Sequence, residues 1–144
     1  MQKIVTAGLL VSALACGMVP ASAQSGVYTP GAGSVERKAI MNALRVPVQR
    51  DLRMPVIFVV SSPSHDLRVK QGWAFVVAEF RHSNGDPMGP AFFDHGGMDN
   101  SASALLHRVG GQWRVVTHNT GATDVVWENW GRTYHAPPGL VPRG

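Results

Sequence analysis

Cysteine is nearly missing: Cys16 is the only one in 144 residues, and it sits in an N-terminal stretch that reads as a removable leader. The chain beyond it has no thiol for a disulfide, a thiolate nucleophile or a sulfur-ligated metal. No Gly-x-Ser-x-Gly turn is present, and no glycine-rich phosphate loop follows a β-rich run, which removes two common catalytic and nucleotide-binding patterns. Charge is sparse too, at 15% of residues, with 9 acidic against 13 basic side chains. Ten of those cations are arginine, spread along the chain, so a net +4 gives no nucleic-acid footprint and only a weak preference for anionic partners. No internal repeat is evident.

What is present begins with an export signal. Lys3 supplies a positive start, Ile4 to Ala15 an apolar stretch too short to span a bilayer comfortably, and Ala21-Ser22-Ala23 the small-x-small pattern of a cleavage site. The expectation is a signal peptide over residues 1–23, cut before Gln24, and a periplasmic or secreted chain with no transmembrane segment. Ala13-Leu14-Ala15-Cys16 is a loose lipobox, and lipid attachment at Cys16 is the alternative; the downstream site fits better.

Residues 24–33, QSGVYTPGAG, read as a flexible leader and residues 34–135 as one domain. Ser34 is a suitable N-cap with Glu36 in the first turn, and Ala39, Ile40, Ala43 and Leu44 recur at helical spacing. Pro47 should end or kink that helix near Arg45–Val46. MPVIFVV (54–60) reads as a strand, and 65–82 as a hairpin turning at Gln71-Gly72. From Trp73 to Phe80 both alternation classes are mostly apolar, which places that strand in the middle of a sheet covered on both faces. Gly110-Gly111 joins a second hairpin. There Trp113, Val115 and Thr117 should share one face, with Arg114, Val116 and His118 on the other. A short helical stretch from Asp124 to about Trp130 follows, with Thr123 or Asp124 as cap and Gly131 just past its end. Residues 136–144 read as a tail; the closing LVPRG matches a thrombin recognition sequence and carries no functional assignment.

The predicted class is α+β: an N-terminal helix packed on a curved antiparallel sheet of about five strands, with a short C-terminal helical segment. At ALLHRVGGQWRVV the chain resembles the cystatin-like and nuclear-transport-factor-like cone folds over residues 34–120. It is also similar to small exported bacterial proteins with phrases like ERKAI, GWAFV and TDVVW. The resemblance implies a sheet wrapped on a helix and carries over no activity.

Three groups of residues are candidate sites. Trp127, Trp130 and Tyr134 form either an aromatic face packed on the sheet or, if exposed, a platform for sugars or peptides. Asp94, His95 and Asp99 lie in the long stretch 82–101 and offer imidazole and carboxylate ligands for a divalent metal, with Met98 favouring copper. The competing expectation for that stretch is an extra hairpin, folded back over the sheet by Phe92 and Phe93. His118 and Asp124 are candidates for an acid–base pair in a pocket between helix and sheet. The leading expectation is non-catalytic binding of an envelope protein, peptide or small ligand, without a cofactor. The alternatives are the pocket enzyme and a metal-binding protein centred on His95.

Overall fold

The structure is a computed structural model that describes residues 26–144. The expected signal peptide, its cleavage site and Cys16 lie outside the described residues.

Helix α1, Val35–Leu52, starts at the expected cap. The Ser34 hydroxyl accepts the Arg37 N–H at 3.2 Å, and Glu36 occupies the first turn. Such a cap satisfies an N–H that the helix itself leaves unpaired and is worth about 1 kcal/mol. Ser34→Ala should therefore lose about that much in urea unfolding, and Ser34→Gly only a few tenths. An alanine variant as stable as the parent would show that the cap contributes nothing.

The helix does not stop at Pro47. Proline removes a donor and ordinarily costs about 3 kcal/mol inside a helix, yet α1 continues to Leu52. Pro47 and Val48 are buried against the sheet. Arg45 Nε donates to the Val56 carbonyl at 3.3 Å, and Gln49 Oε1 accepts the Val56 N–H at 3.0 Å. Packing and these ties to the next element outweigh the local penalty. Arg53 then ends the helix with a left-handed φ of 55°.

Five antiparallel strands follow: β1 Val56–Val59, β2 Asp66–Lys70, β3 Trp73–His82, β4 Ser101–Val109 and β5 Gln112–Thr120. β1 and β2 lie end to end along one edge of β3, β4 pairs with the other edge, and β5 lies outside β4. β3 is the spine, which is why Ala74 to Ala78 are all buried although they face both ways. The two hairpin turns fall where expected. Gln71 and Gly72 have φ of 48° and 76°, and Gly110 and Gly111 of 58° and 78°. Positive φ at both central positions matches the twist of the flanking strands.

The sheet has a core on each face. On one, Ile40, Leu44 and Val48 of α1 pack on Val76, Ala78, Phe80, Ala104 and Leu106. These helix residues are fully buried, so the space between helix and sheet is filled over this region rather than hollow. On the other face, Phe75, Val77 and Leu105 are covered by Leu140, with Trp73, Trp127, Trp130, Ala136 and Val141 packed around them.

Four expectations need correction. Residues 26–33 are not a free leader. Tyr28 makes a two-way backbone bridge to Val69 (2.9 and 2.7 Å), the Thr29 hydroxyl donates to the Leu67 carbonyl at 2.8 Å, and Pro30 is buried. Residues 136–144 are not a tail, because Leu140 is completely buried in the second core.

The terminal helix, α3, is Trp130–Thr133, and no helix forms over residues 124–129, where one was expected. Asp124 Oδ1 accepts the N–H of Val125 next door at 2.7 Å instead of capping a turn. Two consecutive β-branched residues, Val125 and Val126, favour extended backbone there, and Gly131 lies inside α3 instead of beyond it. Finally, the stretch after β3 folds back as a helix, not a hairpin. Helix α2, Pro90–Gly96, has proline at its start and Gly97 as a left-handed cap, and it sets Phe92 edge-on to Phe80 at 5.6 Å.

Candidate functional site

The polar chemistry of the helix-covered face gathers at the open edge strand β5, and one irregularity places it there. Leu105 pairs with Thr117 but Leu106 pairs with Val115, so Val116 is an extra residue, a β-bulge. A bulge reverses the alternation beyond it. Trp113 and Val115 pack towards α1, as expected. Beyond the bulge, His118 pairs with Ala104, a residue of the helix-side core, so His118 turns towards α1 as well. Unbroken alternation puts His118 on the face opposite Trp113 and Val115; the extra residue overturns that expectation.

His118 does not meet Asp124. Its acid partner is Asp51 in the last turn of α1: Nε2 lies 2.7 Å from Asp51 Oδ2, which also accepts the Thr120 hydroxyl at 2.9 Å. A carboxylate only accepts, so Nε2–H donates to Asp51. Chemically, the group is a clamp joining the end of α1 to the end of β5.

Burial pushes the Asp51 carboxyl pKa up. The hydrogen bonds from His118 and Thr120, with the charges of His118 and Arg50, outweigh that and hold it below the ordinary 3.8. A depressed folded-state pKa means the clamp stabilises fully above about pH 4 and is lost as pH falls through the folded value. Asp51→Asn should therefore destabilise at pH 7 and cost progressively less below pH 4, where the parent loses the same interaction. The side chain is 38% exposed, so screening keeps the pH 7 effect below about 1 kcal/mol. Urea midpoints at pH 7 and pH 3 measure it; an undiminished difference at pH 3 would contradict the assignment.

Alongside this clamp runs a groove of about 530 Å³, walled by Ala43, Val46, Pro47 and Arg50 of α1 and by residues 113–118 of β5. Val46 is 67% and Val116 38% exposed, a large apolar offering for a surface seam. Trp113 also lines a second hollow of about 440 Å³ with Tyr28, Glu36 and Arg108. The two depressions thus share a wall and follow the α1–β5 seam. In the second, the Tyr28 hydroxyl donates to Glu36; burial first, and then the Glu36 carboxylate, raise its pKa.

The remaining candidates fall elsewhere. Trp127 and Trp130 are half-buried on the second core, with Trp127 edge-on to Phe75 at 5.6 Å. Their rings are packing, and Tyr134 alone of the three is counted exposed, at 36%. Asp124 lines a shallow hollow on that side with His65, Asp99 and Trp127. Asp94 is exposed on α2, and Asp99 accepts the Asn100 N–H. The His95 side chain lies outside the described residues. Among the described residues no three metal-ligating side chains come together, and no helix is long and apolar enough to cross a membrane.

Sequence reading missed Asp51 because it stands 67 positions before His118 and only the fold joins them. The consecutive pair Val115-Val116 is the one local hint of the bulge that aims His118. Compared with protein-family models, curated proteins and solved structures, the chain matches none.

Proposed function

We propose that this is an exported binding domain without catalytic activity, and that it captures an extended segment of another envelope protein by strand addition at β5. One observation carries the reading: among the described residues the nine-residue strand β5 pairs only with β4, and that free edge lies beside the groove between β5 and α1. An incoming strand gains backbone hydrogen bonds along such an edge, while alternate side chains reach a groove beside it. The leader predicted at residues 1–23 supports the exported setting. The filled interface between α1 and the sheet argues against an enclosed pocket as the site.

The test uses capped octapeptides in which valine alternates with serine, aspartate or lysine. At least one should bind in fluorescence anisotropy and slow amide hydrogen exchange within 112–120, leaving β1 and β2 unchanged. N-methylation of alternate peptide residues should abolish binding for one set and spare the other, because only one edge of the probe faces β5. No binding by any probe, or protection confined to other strands, would refute strand addition.

A further inference from the structure

We infer that the segment seated on β5 is acidic, with carboxylates placed to meet Arg50 and Arg114, which border the groove. This rests on the strand-addition reading and adds the partner's chemistry to it.

The groove's charged lining is one-sided. Arg50 and Arg114 border it together with His118, and both arginines are exposed. Among the described residues neither arginine forms a salt bridge, and the bond from Arg114 goes to the neutral Gln112 amide. The acid next to Arg50, Asp51, already receives His118 and Thr120, so its charge is answered from within the fold. Further along the seam Arg108 adds a third cation, while Glu36 there receives the Tyr28 hydroxyl. β5 itself has Arg114 and His118 and no acidic residue.

The apolar lining sets the other requirement. Ala43, Val46, Pro47, Val115 and Val116 offer no hydrogen-bonding side chain. Polar groups placed over them would lose water without a partner. The occupant that satisfies both surfaces is an extended chain mixing β-branched or aliphatic residues with aspartate or glutamate. Guanidinium groups suit such a partner because they meet carboxylates in a two-pronged geometry. A lysine-bearing strand would set like charge against like and be disfavoured.

The same three probes decide it. The aspartate–valine octapeptide should bind about tenfold more tightly than the serine–valine one, the sum of two exposed charge pairs, and the lysine–valine one most weakly. That preference should shrink as salt rises to ~0.5 M, where the screening length drops to a few ångströms. The double variant Arg50→Glu/Arg114→Glu should reverse the order in favour of lysine; both sites are exposed, and circular dichroism checks that the fold persists. Equal binding of all three, with β5 protected and N-methylation still blocking, would overturn the acidic partner and leave strand addition standing. Absence of binding by all three would remove both.

Discussion

Leu140→Ala should lower the unfolding free energy by about 3 kcal/mol, in the range for deleting a fully buried leucine side chain with incomplete collapse of the cavity. For a domain of this size that is roughly 10 °C in melting temperature. Leu140 has no exposed surface and sits in the second core with Phe75, Val77 and Leu105. It is held there by a short chain of contacts. Lys70 Nζ donates to the Pro138 carbonyl at 2.6 Å, and the Leu140 N–H reaches the Pro137 carbonyl at 3.2 Å. Trp127 and Trp130 flank the same cluster, so their emission should shift to the red as water enters. Val46→Ala, at a position two-thirds exposed on the helix face, serves as the comparison and should cost less than about 0.5 kcal/mol. A Leu140→Ala loss under 1 kcal/mol with unmoved tryptophan emission would mean that the segment after His135 does not seal this face.

That seal marks a limit of reading this chain from its residues. The fold class was legible because its signals are local. Ser34 and Glu36 mark a helix start, the glycine turns mark hairpins, and the doubly apolar run from Trp73 to Phe80 marks a central strand with both faces covered. The last of these demands a cover for the second face, but not which segment supplies it. APPGLVP has no periodicity to reveal that Leu140 is a core residue, since its burial depends on where β3 and β4 present Phe75 and Leu105.

Pro47 errs in the opposite direction. Its local penalty is real, and only the ties from Arg45 and Gln49 to Val56 show why the helix survives it. The site was half legible. His118 was singled out as a residue with chemistry to offer, but its partner Asp51 comes from an element far away in sequence. Its orientation turns on a single inserted residue at Val116. Alternation rules assume an unbroken period of two, and a bulge breaks that assumption without changing composition.

Gly121→Ala is the substitution expected to do most damage beside the site, and its cost divides into two parts that can be measured separately. Gly121 follows β5 directly and is buried, with φ of 77°. Its N–H donates to the Ser101 carbonyl at 2.8 Å, and its carbonyl accepts the Asp99 N–H at 3.0 Å, so it stitches the end of β5 to the start of β4. A β-carbon there would lie 3.0 Å from Met98 Cβ and 3.2 Å from the Asp99 carbonyl oxygen, and would collide with Met98 Cε. The methyl end of Met98 can swing away. Its Cβ and the Asp99 backbone can retreat only if the loop moves.

Gly111 has almost the same φ, 78°, with nothing within 4 Å of an added β-carbon. Gly111→Ala therefore reports the left-handed strain alone, about 1 kcal/mol, whereas Gly121→Ala adds overpacking of about 1–3 kcal/mol. The difference between the two variants in urea unfolding isolates the clash. It also bears on function, because Thr120, the residue before Gly121, donates to Asp51 and completes the clamp with His118. Forcing the β4–β5 junction apart should loosen that clamp, shift the His118 ring signals in NMR and weaken capture of the aspartate–valine probe. Gly111→Ala, at the far end of the hairpin, should leave all three untouched. Equal costs for the two alanines would mean that the Met98 loop yields freely and that the clamp does not depend on how tightly β5 is closed against β4.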